Sequence, residues 1–365
     1  MEKQYELLNK DIVLLDFICQ DDGYGGTIPV EQRRNDVPFP LGYKNLESFL
    51  ERRKAPKHRK HIQELLRQYG CDELEGFLDV THALSLNDTF WVREKGSSLC
   101  WADVSLYQNE FNDLIAQAAF DGQMGEPSLS TTSPEFGTDG LFAKCWVRED
   151  NGIFLYKSGS VKYELEPLSE FLATQIAACI CDNYVPYDMK FHHGKLVSTC
   201  KLFTSESVGL AKAADFLPAE QRSIPNIMSL FQSIGAEDDL RRMFVLDAII
   251  LNIDRHMGNF GVSFDTESMQ ILGAAPEYDN NRSLLFDLDD DQLQNYAWYI
   301  PHYTPRIGTS FVGVAKGMMT DAIRQDIKNL CGFEFQQHPA IDIPKQRLQI
   351  LSEIINLQVK TILNK

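Results

Sequence analysis

The chain carries an aspartate and an asparagine five residues apart, Asp254 and Asn259, in a polar segment that directly follows an apolar run. Phosphoryl transfer to a hydroxyl needs one group that receives or orients the hydroxyl proton and another that holds a divalent metal ion. A carboxylate and a carboxamide at this spacing can divide those two tasks. Standing alone, such a pair is more typical of a helix cap or an Asx turn, so other residues must decide the interpretation.

Three further charged residues could complete such a site. Asp279 follows the strand-like segment 269–272 and could chelate a magnesium ion that bridges phosphates. Lys157 ends a predicted hairpin strand, where its ammonium can pair with α- and β-phosphates, and Glu170 on the following helix is its predicted ionic partner. Taken singly, Lys157 would be a solvated strand end and Glu170 a surface helix residue. Their order along the chain is what favours a site.

Glycines precede the first hairpin strand in the segment FGTDG. Gly137 and Gly140 would let backbone N–H groups approach phosphate oxygens, with Thr138 between them. The alternative is that both are ordinary loop glycines.

Hydrophobic periodicity and turn signals predict the elements that must position these residues. Asn151-Gly152 is a strong hairpin signal between two β-branched and aromatic runs, and amphipathic spacing marks the long helices. A short strand near the N-terminus is followed by a glycine-rich turn, and Pro56 separates two helices. The predicted strands are 12–16, 141–147, 153–157 and 195–203, and the predicted helices are two within 44–69, one at 167–181, one at 239–252 and one at 344–363. A β-rich part followed by a helical part predicts an α+β protein with a cleft between them.

Composition limits the class of protein. The chain has 365 residues, of which 44% are hydrophobic and 24% charged, as in globular proteins with a buried core. Its net charge of −17 repels a polyphosphate backbone, so we expect neither direct nucleic-acid binding nor a membrane partner. The eight cysteines form no C-x-x-C pair, and no run reaches the roughly 18 apolar residues of a membrane helix. These features predict reduced thiols and a cytoplasmic location.

A family resemblance is carried by four segments. The most specific is the D-R-H-x-x-N motif within LDAIILNIDRHMGNFGV, which resembles the catalytic segment of HipA-like kinases, bacterial Ser/Thr kinases of toxin–antitoxin systems. Its loop is also similar to that of phosphatidylinositol kinases, and its Asp-to-Asn spacing equals that of the protein-kinase motif H-R-D-x-x-x-x-N. The family's lysine strand, the helix with the partner glutamate and the metal-binding aspartate segment resemble LYKSG, SEFLATQIA and APEYDNNRSLL.

The resemblance implies roles for individual residues. It makes Asp254 the catalytic base, Asn259 and Asp279 the ligands of Mg²⁺, Lys157 the lysine that contacts the phosphates of ATP, and Glu170 its partner. It also implies that His256 braces the catalytic loop through ring hydrogen bonds. Adenine is expected against the strand that runs through Lys201 to Phe203, at the position of a kinase hinge.

The resemblance covers residues 130 to 335 and implies an α+β, two-lobed protein-kinase-like fold with a β-rich N-lobe and a helical C-lobe. We place an N-terminal accessory α/β region at 1–120, the N-lobe with phosphate loop and hairpin at 121–205, and the C-lobe with the catalytic loop at 206–365.

The implied activity is ATP- and Mg-dependent transfer of a phosphoryl group to Ser or Thr of a protein substrate, with an antitoxin as a possible partner. Some HipA-like kinases phosphorylate a serine in their own phosphate loop and thereby disable the site. The candidates here are Ser128, Ser130, Thr131, Thr132 and Ser133, and the alternative is that all five only solvate a flexible segment. A lipid or small-molecule kinase and a non-catalytic pseudokinase binding module remain alternatives for the whole chain.

Overall fold

Two units share the chain, and both mix strands with helices. The structure is a computed structural model that describes residues 3–24, 26–53, 73–121, 133–138, 143–160 and 164–364. The first unit comprises Met1–Tyr156, Leu202–Ala211 and Ser263–Leu272, and the second comprises Lys157–Lys201, Lys212–Val262 and Gly273–Lys365. The three-part domain division expected from the sequence remains a prediction.

The first unit begins with an antiparallel sheet of β1 (Gln4–Asn9), β2 (Ile12–Asp21), β3 (Thr27–Arg34) and β4 (Phe90–Glu94), in the order β3-β2-β1-β4. Leu7 of the central strand β1 lies opposite Leu15 on one side and Val92 on the other, so apolar side chains stack across three strands. The other strands of this unit are β5 (Lys144–Glu149) and β6 (Gly152–Ser158). The last two residues of β6 belong to the second unit. Its helices are α1 (Leu46–Arg53), α2 (Leu74–Thr81), α3 (Trp101–Val104) and α4 (Asp113–Asp121), with a 3₁₀ turn at Pro134–Gly137.

Aromatic side chains fill the core of this unit. Phe17, Phe49, Phe77 and Phe90 are buried in one cluster between the sheet and helices α1 and α2. The predicted strand 12–16 is confirmed but extends to Asp21, and Phe17, Ile18 and Cys19 beyond Asp16 are all buried. The second helix expected within 44–69 lies outside the described residues.

A three-stranded sheet follows, with most of its residues in the first unit. Its order is β11-β10-β9, formed by β9 (Val208–Lys212), β10 (Gly261–Asp265) and β11 (Ile271–Ala274). The helical C-lobe expected from residue 206 onward is wrong for β9 and β10, while β11 lies near the strand-like segment expected at 269–272. Gly209 explains the difference: a Cβ there would lie 2.4 Å from the ring of Phe264, so the glycine permits a close strand approach that side-chain periodicity does not reveal.

The second unit is mainly helical. Its elements are α5 (Glu166–Ile180), β7 (Tyr187–His192), β8 (Lys195–Lys201), α6 (Ala213–Phe216), α7 (Ile224–Ser233), α8 (Glu237–Ile250), α9 (Asp290–Leu293), α10 (Tyr296–Tyr299), α11 (Phe311–Met318), α12 (Asp321–Asn329) and α13 (Lys345–Leu363), with 3₁₀ turns at Ala219–Gln221 and Ile300–His302. The predicted helices at 167–181, 239–252 and 344–363 are confirmed as α5, α8 and α13. Among the described residues, no helix is both long and apolar enough to cross a membrane.

Helices α5, α8 and α13 supply the core of the second unit. Leu172 and Ile176 of α5, Leu246 of α8 and Ile355 of α13 are fully buried in one cluster. Beside this core, β7 and β8 form an antiparallel hairpin in which Tyr187 lies opposite Cys200. Ser198 of β8 donates a hydrogen bond to the carbonyl oxygen of Lys157, which fixes the end of strand β6 against this hairpin. The candidate site is built on these elements.

Candidate active site

Lys157 lies between two carboxylates inside the second unit. Its side chain is 8% exposed and forms ion pairs with Asp279 and with Oε2 of Glu170, the latter at 3.6 Å. Glu170 is fully buried near the start of α5, and its Oε1 accepts a hydrogen bond of 3.2 Å from the backbone N–H of Asn280. The structure therefore brings together three charged residues that the sequence predicted as parts of one site.

Burial and ion pairing shift the pKa values of this cluster in opposite directions. Burial by itself lowers the pKa of Lys157, but the carboxylates of Asp279 and Glu170 outweigh it, and the net pKa is raised. Burial raises the pKa of Glu170, and the charge of Lys157 opposes that shift. Lys157 is thus a permanently charged ammonium at the end of β6.

Asp279 is held in an unusual backbone conformation. Its φ is +66°, in the left-handed region that aspartate tolerates better than most residues. Its backbone N–H donates a hydrogen bond of 3.2 Å to the hydroxyl of Tyr187, a buried residue at the start of β7. Tyr187 therefore ties the β7–β8 hairpin to the segment that carries Asp279.

The loop from Asp254 to Asn259 follows α8 directly. Helix α8 ends where Leu251 adopts a φ of +56°, which turns the chain away from the helix axis. The carbonyl of Asp254 accepts a hydrogen bond of 3.2 Å from Nδ2 of Asn259, and Nδ1 of His256 accepts one of 3.0 Å from the N–H of Gly258. These bonds close a compact loop in which the side chains of Asn259 and His256 are both engaged with the backbone.

Two arginines flank the carboxylate of Asp254. Arg306 forms an ion pair with its Oδ1, and Nη1 of Arg282 lies 3.7 Å from its Oδ2. Asp254 also occupies an Asx-type turn, since its N–H donates to Oδ1 of Asn252 at 3.0 Å. The Asx turn involves the backbone of Asp254, whereas the predicted catalytic role involves its carboxylate, which is directed at cations.

A buried arginine joins the two loops of the site. Arg255 is 2% exposed and donates to the carbonyl oxygens of Asn259 at 2.9 Å and Tyr278 at 2.6 Å. It also pairs with Asp247 of α8 at 3.0 Å and with Glu277 at 2.5 Å. The donors of Arg255 bond to groups of the Asp254–Asn259 loop, of the segment that carries Asp279 and of helix α8. Arg255 therefore fixes this loop beside that segment.

Sequence reasoning missed Arg255, Asp247 and Tyr187. The sequence does contain a signal for Asp247 and Arg255. Asp247 is an ionisable residue within the otherwise apolar run of α8, and a buried carboxylate requires a cation such as the arginine eight residues later. Tyr187 leaves no such signal, because an aromatic residue at the start of a strand is ordinary core composition.

The predicted nucleotide residues outside this cluster have other surroundings. Gly137 ends the 3₁₀ turn, and the Thr138 hydroxyl donates to the carbonyl of Pro134 at 2.6 Å and accepts from Nε1 of Trp146 at 2.9 Å. Gly140 lies outside the described residues. Lys201 is exposed at the end of β8, and Phe203 is half-buried in the first unit. Their expected contacts with ATP remain predictions.

Asp279 and Asn259 carry the kind of donor atom that magnesium binds. Within the described part of the chain, no group of three or more His, Cys, Asp or Glu side chains could hold a metal. Asp279 offers carboxylate oxygen, and Asn259 offers a carboxamide oxygen because its nitrogen is engaged with Asp254. Mg²⁺ prefers such oxygen donors and commonly takes only one or two from the protein, with phosphates and water completing its octahedron.

Comparison with solved structures finds a similar fold in a HipA protein. HipA of Shewanella oneidensis MR-1, solved in a toxin–antitoxin complex of HipA, HipB and operator DNA, is similar over 98% of this chain and 96% of its own, with a TM-score of 0.54 and 11% identity. The Helicobacter pylori proinflammatory kinase CtkA is similar over 60% of this chain and 91% of its own, with a TM-score of 0.45 and 16% identity. No family model and no curated protein matches the sequence. At these identities, the likeness to HipA concerns the fold.

Proposed function

We propose that the chain is an ATP- and Mg-dependent kinase that transfers the γ-phosphoryl group to Ser or Thr of a protein. The observation that carries this proposal is the position of Lys157, buried between Glu170 and Asp279 in the same unit as the Asp254–Asn259 loop. A phosphate-binding lysine needs one partner to orient it and a metal ligand nearby, and Glu170 and Asp279 are side chains suited to these two tasks.

Each residue has one task in the proposed reaction. The ammonium of Lys157 binds phosphate oxygens as a point charge, and Glu170 keeps that ammonium in place. Asn259 and Asp279 are the residues that would hold Mg²⁺, which supplies positive charge against the charge that grows on the transferred group. Asp254 orients the acceptor hydroxyl and receives its proton. Arg255 acts through the others, since it positions both loops.

Transfer from labelled ATP tests this proposal. Asp254→Asn keeps the shape of the side chain but removes the base, so we expect labelling of the acceptor to fall by about 10²–10⁴-fold. Asp291→Asn is the matched control, since Asp291 is exposed on α9 outside the site. Undiminished labelling by the Asp254→Asn protein contradicts the assignment of the base.

The identity of the acceptor separates the proposed protein kinase from the nearest alternatives. Label that enters lipid or a small molecule, with none in protein, indicates another kinase class. A non-catalytic binding module is distinguished by heating the chain with millimolar ATP and magnesium. Ligand linkage raises the melting temperature of a nucleotide binder, so the absence of any shift favours the binding module.

Two narrower proposals accompany the kinase assignment. The HipA neighbour was solved with HipB and operator DNA, which supports the proposal of an antitoxin partner for this chain, testable by co-purification from its native host. Autophosphorylation is proposed for the serines and threonines from 128 to 132, which lie outside the described residues. Ser133 is buried at 4% exposure, so its phosphorylation would require this segment to open. Mass spectrometry of the purified chain locates any phosphate.

A further inference from the structure

We propose that Arg306 and Arg282 select acceptor polypeptides that carry aspartate or glutamate beside the phosphorylated hydroxyl. This inference rests on the proposed function and adds a substrate class to it. It assigns a specificity role to two residues that the proposed catalytic chemistry does not use.

Two guanidinium groups converge on a single carboxylate at this point of the molecule. Arg306 and Arg282 both pair with Asp254, whose side chain is 21% exposed. Two cations therefore lie beside the carboxylate that the acceptor hydroxyl must approach.

A third cation lies near the Asp254–Asn259 loop. Burial lowers the pKa of the His256 imidazole, and the charges of Arg306 and of Lys212, at the end of β9, lower it further, while Asp254 and Asp279 act in the opposite direction. The backbone N–H of Lys212 bonds to the carboxylate of Asp215, so an acid also lies on this side.

Arg306 combines an anchored backbone with an accessible side chain. The segment around it is fixed because the Tyr303 hydroxyl bonds to Asp287, and Ile307 packs against the main core of the unit. Gly308, with a φ of +99°, turns the chain toward helix α11. The Arg306 side chain is nevertheless 56% exposed. Its guanidinium can therefore change partner without any movement of the fold.

An acidic acceptor offers such an exchange of partners. A substrate hydroxyl that is to be activated must approach the carboxylate that Arg306 now occupies. A carboxylate next to that hydroxyl can accept the guanidinium in a bidentate pair and leave Asp254 available to the hydroxyl. Exposed ion pairs contribute little to stability, so breaking the Arg306–Asp254 pair costs little free energy. At physiological salt the Debye length is about 8 Å, so repulsion from acidic residues farther away than this is largely screened.

Serine peptides in a degenerate pool test this inference. Each pool fixes Asp, Glu, Ala or Lys at one position flanking a central serine, and kcat/KM is measured for the full chain. We expect the acidic pools to exceed the lysine pool by at least about tenfold. Arg306→Glu should reverse that order, with a gain on the lysine pool that misfolding cannot produce, and Arg282→Gln should reduce the preference.

The matched control is Arg324→Glu, which makes the same change of charge on helix α12 at a residue with no assigned role in the site. It should keep the wild-type preference. Equal kcat/KM for acidic and basic pools, or an order that Arg306→Glu leaves unchanged, overturns the inference while the kinase assignment stands. Transfer to no pool also overturns it, and labelling of a protein acceptor in the same preparation then shows whether the proposed function survives.

Discussion

Arg255 donates a hydrogen bond of 2.6 Å to the carbonyl oxygen of Tyr278, the residue before Asp279. The same guanidinium nitrogen bonds to the carbonyl of Asn259 at 2.9 Å. The residue that follows the proposed base thus holds the segment that carries the proposed metal ligand. This buried side chain therefore connects the two loops of the site.

Replacing Arg255 should therefore destabilise the second unit. Arg255→Met retains much of the side-chain volume but leaves the carboxylates of Asp247 and Glu277 buried without their cation, which typically costs about 3 to 5 kcal/mol. The free energy of unfolding from urea titrations measures the loss. Arg324→Met on α12 serves as the control and should change it by less than about 1 kcal/mol. A similarly small change for Arg255→Met would show that the network contributes little.

Lys157→Met should remove nucleotide binding. The ammonium is the group that we assign to the phosphates, and methionine fills similar space without charge. The rise in melting temperature that ATP and magnesium produce in the wild type should disappear in this variant. Lys328→Met, an exposed change on α12, should retain the full rise. A Lys157→Met protein that is stabilised as strongly as the wild type would remove Lys157 from the binding site.

Asp279→Asn should raise the magnesium concentration that transfer requires. Loss of even an outer partner of a metal site costs roughly 10- to 100-fold in affinity, so loss of a charged ligand should shift the half-saturating concentration at least tenfold. Magnesium titration of the transfer rate measures the shift, and EDTA should abolish transfer in every variant. Asp321→Asn at the start of α12 is the control. Identical titrations for Asp279→Asn and the wild type would exclude Asp279 as a ligand.

Glu170 should make stability depend on pH. Burial raises its pKa to about 7 in the folded chain, partly offset by Lys157, above its ordinary value near 4.5. The folded state therefore binds the proton more tightly than the unfolded state. The contribution of Glu170 is fully present below pH 4.5 and is lost as the pH rises toward 7. Relative to Glu170→Gln, the wild type should lose stability across this interval in urea titrations. Parallel pH profiles would contradict the raised pKa.

Local sequence determined much of the second unit. The long helices α5, α8 and α13 follow from apolar side chains at helical spacing, a pattern that depends only on near neighbours. The pairing of Asp254 with Asn259 could also be predicted, because both lie in one loop after a buried helix. These elements needed no knowledge of the rest of the chain.

Tertiary structure decided the remainder. Lys157, Glu170 and Asp279 meet because three separate elements pack against one core, and Arg306 reaches Asp254 from a segment far along the chain. Strand β9 depends on the close approach of Phe264 to Gly209, which no local pattern encodes. Amphipathic periodicity specifies which face of an element is buried. The partner of a buried charge depends on which distant elements pack together, and that choice is made by the whole fold.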